Sequence, residues 1–163
     1  MPPKTDSSAR KPRAFDKTKY ELKNLRFLGE FMAATGLTTT SAGGKIGISQ
    51  VSIYYWLKKD DAKLSAVMNL IEACGYRMTV SIVSEDLESD NFSIELKPTE
   101  SGKRLAFLAD TLKDIDKEEV AKKIEMGYST VYYWLEHDDI NISYIYRIAE
   151  AIGRKVKITI RPR

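Results

Sequence analysis

With 163 residues, 43% hydrophobic and 30% charged, the chain has the balance of a globular protein with apolar material for one domain or two small ones. No apolar run reaches the roughly eighteen residues that span a bilayer, and the polar stretch after Met1 has no signal-peptide core, so a cytoplasmic protein without a membrane partner is expected. The single cysteine, Cys74, excludes an internal disulfide and a multi-cysteine zinc site, and a net charge of +3 favours an anionic partner only mildly.

Charge is spread unevenly along the chain. Residues 1–25 hold seven Lys/Arg against three acids, and residues 1–19 read as a basic arm carrying Arg10, Lys11 and Arg13 among Pro and Ser. Residues 20–83 read as a first module. Leu22, Leu25, Leu28 and Met32 fall at helical spacing, and a second helix lies around Ile46. Gly43 and Gly44 sit inside that second helix, each costing about 1 kcal/mol relative to Ala, so it is expected to be loose. A third helix turns Ile53 and Trp56 inward, and a fourth over residues 64–74 places Cys74 in the core. Met78, Val80 and Ile82 then alternate as a strand. Residues 84–100, with one Lys against six acids, form an acidic link in which Phe92, Ile94 and Leu96 predict a further strand, reached by a hairpin.

Residues 101–163 give the same order of elements. Leu105, Leu108, Ala109 and Leu112 predict a helix over 102–113. The next begins after Asp116, which caps it, with Glu119 completing a capping box and Val120, Ala121 and Ile124 as its apolar face. A turn around Met126 and Gly127 leads to a helix over 128–136 with Val131, Trp134 and Leu135 inward. The last helix follows Asn141 or Ser143, buries Ile145, Ile148, Ala149 and Ile152, and stops at Gly153. Val156, Ile158 and Ile160 alternate with Lys155, Lys157, Thr159 and Arg161 as a half-exposed strand. The fold class is therefore mainly α with short β-strands (α+β), with a small antiparallel sheet, and the edge of the closing strand offers a homodimer surface.

The two modules are copies of one another. SIYYWLKKDD at residues 52–61 matches TVYYWLEHDD at 130–139, an offset of 78 that also maps Lys45 to Lys123, Leu64 to Ile142, Gly75 to Gly153 and Val80 to Ile158 without a gap. Chance does not hold register over so many positions.

Within the repeat, AGGKIGISQVSIYYWL (42–57) and VAKKIEMGYSTVYYWL (120–135) resemble the Cro/CI-like (XRE-type) helix-turn-helix family, a likeness that runs through each fourth helix. It implies tandem lambda-repressor-like bundles, each followed by a strand, and sequence-specific binding of double-stranded DNA by a transcriptional regulator. In that family the third helix enters the major groove. Carried over residue by residue, the base-facing positions are Gln50, Val51 and Tyr55 in the first copy and Tyr128, Ser129 and Tyr133 in the second. Gln50 suits adenine N6 and N7, and Val51 suits a thymine methyl. Lys45, Ser49, Ser52, Tyr54, Lys58 and Lys59 fall along the backbone, as do Lys122, Lys123, Thr130 and Tyr132. Two fused modules would present two reading helices roughly 34 Å apart from one chain. The basic arm would follow phosphates or a minor groove. The sequence departs from the family pattern where the turn glycine, Gly47, becomes Glu125, with Gly127 expected to relieve the turn instead. Leu57 and Leu135 stand where a polar residue is usual, so both third helices are expected to bury more on that side.

Plainer readings apply to the same residues. The tyrosine pairs can cover a bundle surface, the paired lysines can be a solvated helix end, and the arm can be a solvated tail. His137, beside Asp138 and Asp139, reads as a surface loop residue, and neither a nucleophile triad, a metal site nor a phosphate loop is spelled out, so no enzyme and no cofactor are expected. The competing functions are a protein-interaction or structural component, for example of a phage or mobile element, and an architectural binder that reads DNA shape.

Overall fold

A computed structural model describes residues 15–84 and 103–163. Among the described residues it is α+β: eight α-helices and one two-stranded antiparallel sheet. No helix among them is long and apolar enough to cross a membrane. Arg10, Lys11, Arg13 and the strand expected at Phe92, Ile94 and Leu96 lie outside the described residues. The chain divides into two compact units, Met1–Asp61 and Ala62–Arg163, so the division falls inside the first copy of the repeat.

The first unit holds α1 (Arg26–Thr35), α2 (Thr39–Ile46) and α3 (Gln50–Lys59). Leu25, Leu28, Phe31 and Met32 of α1 are buried, as are Leu37, Ala42, Ile53 and Leu57. Leu22 precedes the helix that was expected to include it, because the carboxylate of Asp60 takes the backbone N–H groups of Lys23, Asn24 and Leu25 at 3.1, 2.8 and 2.8 Å and fixes the start at Arg26. Thr38 and Ser41 close a capping box at the start of α2.

Gly43 is not a loose point. A Cβ there would lie 2.5 Å from the carbonyl oxygen of Ile48 and 3.2 Å from the nitrogen of Gln50, so the glycine lets the backbone leading into α3 lie directly on α2. In α3 Leu57 is 1% exposed and Trp56 only half-buried, so the leucine fills the place expected of the tryptophan.

The second unit comprises α4 (Leu64–Ala73), β1 (Tyr76–Ser84), α5 (Ala106–Leu112), α6 (Lys117–Lys123), α7 (Tyr128–His137), α8 (Ile142–Ala151) and β2 (Arg154–Pro162). Leu64, Val67, Leu70 and Ile71 of α4 are buried, and so are Leu105, Leu108, Leu112, Val120, Ala121, Ile124, Val131, Trp134, Ile142, Ile145, Ile148 and Ala149. Ala109 is exposed, and Leu135, Ile152 and Cys74 are half-buried, so four expected core positions lie at the margin. Asp116 caps α6 through the N–H groups of Glu118 and Glu119 at 3.0 and 3.4 Å. His137 closes the last turn of α7 and is not a loop residue.

The turn before α7 corrects another expectation. Glu125 itself takes the left-handed conformation, at φ 58°, where the first copy has Gly47 at φ 70°. Gly127 sits at φ −66° as the N-cap of α7, a backbone any residue adopts, and relieves nothing.

The sheet joins the two copies. β1 and β2 pair antiparallel from Tyr76↔Pro162 to Ser84↔Arg154, with Val80 opposite Ile158. These two are also equivalents in the repeat, so the register puts a residue opposite its own counterpart. The same holds at a second point, the bridge between Lys63 and Asn141, where Leu64 N–H donates to Ile140 O and Ile142 N–H to Ala62 O, both at 2.9 Å. Those bonds satisfy the first amides of α4 and α8, whose N-cap residues Lys63 and Asn141 make no side-chain cap. β1 and β2 therefore pair within one chain about a local two-fold axis.

Candidate nucleic-acid interface

A buried stripe of Ile53 and Leu57 fixes which side of α3 faces inward, and the 3.6-residue period then turns Gln50, Val51, Tyr54, Tyr55, Lys58 and Lys59 outward. Val51, Tyr54 and Tyr55 are 52, 43 and 52% exposed. Ser49 caps the helix by accepting from Ser52 N–H at 3.2 Å, and its hydroxyl lies 3.1 Å from that of Ser52, so both serines expected at phosphates also hold the helix start. Thr40, near the beginning of α2, donates to Gln50 Oε1 at 2.5 Å. The amide is therefore oriented while its two N–H donors and the second lone pair on oxygen stay free for a ligand.

An aromatic row runs from the chain entry onto α3. Phe15 stacks on Tyr20 at 5.8 Å between ring centres, Tyr20 meets Tyr54 edge-on at 6.2 Å, and Tyr54 meets Tyr55 at 5.7 Å. Lys59 Nζ lies 5.7 Å from the centre of the Tyr55 ring, within cation–π range. Lys45, in the last turn of α2, is exposed.

On α7 the inward stripe is Val131 and Trp134, and Tyr128, Ser129, Tyr132 and Tyr133 face out. The three tyrosines are 49, 43 and 57% exposed. Tyr128 donates its hydroxyl hydrogen to Tyr132 Oη at 3.0 Å, and the rings meet edge-on at 4.9 Å. That bond is made by the neutral form of Tyr128 and holds its phenol above the usual range, with loss of hydration and the negative field of Tyr132, Glu118 and Asp116 adding to the effect. The His137 ring stacks on Tyr133 at 3.7 Å, with Nδ1 2.9 Å from Tyr133 O. Lys122 and Lys123 are exposed, with Lys123 Nζ 3.9 Å from Glu119, and Thr130 is half-buried at the helix start.

Among the described residues the exposed large apolar side chains are Val51, Tyr54, Tyr55, Tyr128, Tyr132 and Tyr133, all on α3 or α7. Sequence reasoning singled out these six and missed Phe15, Tyr20 and Thr40, whose roles depend on contacts 5 to 34 residues away in the chain. It also missed Asp60 and Asp138, although the pair of aspartates after each YYWL segment was a readable signal. Asp138 accepts from the N–H groups of Arg104 and Leu105 at 3.0 and 2.8 Å, repeating the Asp60 arrangement. Comparison with protein-family models, with curated proteins and with solved structures finds no match to this chain.

Proposed function

We propose that the chain binds double-stranded DNA sequence-specifically, as a transcriptional regulator, through the helix-turn-helix pair α2–α3 with α3 as the reading helix, α6–α7 being its diverged copy. The observation that carries this reading is the outward face of α3: exposed Val51 and Tyr55, an oriented Gln50, and three lysines without an acid over residues 39–59. Large apolar side chains gathered on one exposed face mark a partner surface more often than singly scattered ones do. A helix start bearing an amide and a small branched side chain suits adenine and thymine edges in the major groove. Lys45, Lys58 and Lys59 supply phosphate affinity that falls with salt.

Selection from random duplexes tests the reading. An enriched motif is expected, and Gln50→Ala should weaken binding to it about tenfold while relaxing preference at one position. Removing each of the three lysines should lower the slope of log affinity against log salt by about 0.9. Unselective binding would point to an architectural role, and no binding at moderate salt would favour the protein-interaction reading. The acidic surroundings of α7 favour that second reading for the second copy.

A further inference from the structure

The faces of α3 and α7 occupy equivalent places in the repeat and differ in charge. Residues 39–59 contain three lysines and no acid, whereas the equivalent residues 117–137 contain three lysines and four glutamates. Thr40, Ser41, Gly47 and Lys58 become Glu118, Glu119, Glu125 and Glu136, all exposed. Glu119 already engages Lys123. Where the first copy has Gln50, its amide oxygen held by Thr40, the second has a phenol bonded to its neighbour Tyr132. The tyrosine row is nevertheless as exposed as that of α3.

Duplex DNA carries one negative charge per about 1.7 Å of axis, and a segment with one glutamate more than its lysines suits it less well than one with three lysines and no acid. What fits it is a cation with a flat, weakly hydrated head: a guanidinium stacks on tyrosine faces and forks onto carboxylates, which an ammonium does less well. We propose that the α6–α7 face, centred on Tyr133 and Tyr128 and rimmed by Glu118 and Glu136, docks an arginine-bearing segment of a partner protein. The chain would then bring that partner to the DNA held by α3. The docking itself stands independently of the DNA reading; only this consequence rests on it.

The test uses the full chain and two fluorescent probes, a synthetic peptide of alternating Arg and Gly and its Lys counterpart, beside the duplex obtained by selection. The Arg peptide should bind more tightly than the Lys peptide, and Tyr133→Ala and the double variant Glu118→Gln, Glu136→Gln should each weaken it about fivefold. Both variants should hold duplex affinity within about twofold, whereas Tyr55→Ala should lower duplex affinity and leave the peptide unaffected. These are exposed positions, and an unchanged thermal midpoint confirms that each variant is folded. Loss of duplex binding in Tyr133→Ala equal to that in Tyr55→Ala would overturn the proposal and make α7 a second reading helix. Peptide binding that is absent, or indifferent to the glutamates, would also overturn it. Peptide binding by a chain that binds no duplex would leave the docking face standing and remove the proposed function.

Discussion

Replacing Asp60 by alanine removes one carboxylate that accepts three backbone N–H groups at the start of α1. Lys23 is exposed and its amide passes to water at little cost. Asn24 is half-buried and Leu25 fully buried, so two amides lose a charged acceptor at about 1 to 1.5 kcal/mol each. Asp60 also sits at φ 56°, where alanine adds a further penalty of about 1 kcal/mol. The expected loss is about 3 to 4 kcal/mol, a large share of the 5 to 15 kcal/mol typical of a whole domain. Asp60→Gly relieves the backbone and isolates the amide bonds at about 2 to 3 kcal/mol, and Asp60→Asn, which keeps an acceptor oxygen, should lose about 1 kcal/mol. Urea unfolding followed by tryptophan fluorescence measures this in a Trp134→Phe background, where Trp56 reports on the first unit alone. With a slope near 1 kcal/mol/M, the Asp60→Ala midpoint should fall by about 3 M. Asp60→Gly unfolding at the midpoint of the unaltered aspartate would show that water replaces the carboxylate, and the reasoning would fail.

Three further outcomes follow from the backbone and the tyrosine row. Gly43→Ala should lower the thermal midpoint, because a Cβ at 2.5 Å from a backbone oxygen costs about 1 to 3 kcal/mol, while Gly44→Ala, with nothing within 4 Å, should raise it by the roughly 1 kcal/mol of helix propensity. Equal shifts in the two variants would deny the close approach at Gly43. Glu125→Gly should stabilise the second unit by about 1 kcal/mol in urea unfolding, since it removes a left-handed non-glycine residue, whereas Gly127→Ala should not destabilise its ordinary backbone. In an alkaline absorbance titration Tyr128 should ionise above the usual phenol range, and Tyr132→Phe should return it toward that range. The raised value belongs to the folded chain, so the contribution of this bond is present below the ordinary phenol pKa and is lost as pH rises through the raised one.

Periodicity and the repeat made the order of elements legible, because each helix buries one stripe and the stripes recur along the chain, 80 residues later for Leu25, Leu28 and Met32 of the first helix and 78 residues later beyond it. The outward faces of α3 and α7 followed from the same stripes. What escaped was set by contacts distant in sequence or by a choice between near equivalents. Asp60 acts on amides 35 to 37 residues before it, and no local pattern reveals that partner. Trp56 and Leu57 are adjacent apolar residues, and a small rotation of α3 decides which is buried. Glu125 in place of a glycine concealed a left-handed turn, since glutamate carries no mark of the conformation it is forced to adopt. Gly43 looked like a weakness because propensity counts only the helix it sits in, while the strand of backbone crossing it is invisible to that measure.

Two separate identical chains meeting about an axis must set a side chain against its own twin there, and any change enters both sides at once. Here the axis faces Val80 with Ile158 and Lys63 with Asn141, unlike residues that a single gene product can combine only because both halves are covalently one. Such a chain escapes the requirement that its halves be interchangeable. One half can carry glutamates on its outward faces where the other carries none, and neither arrangement has to be tolerated twice.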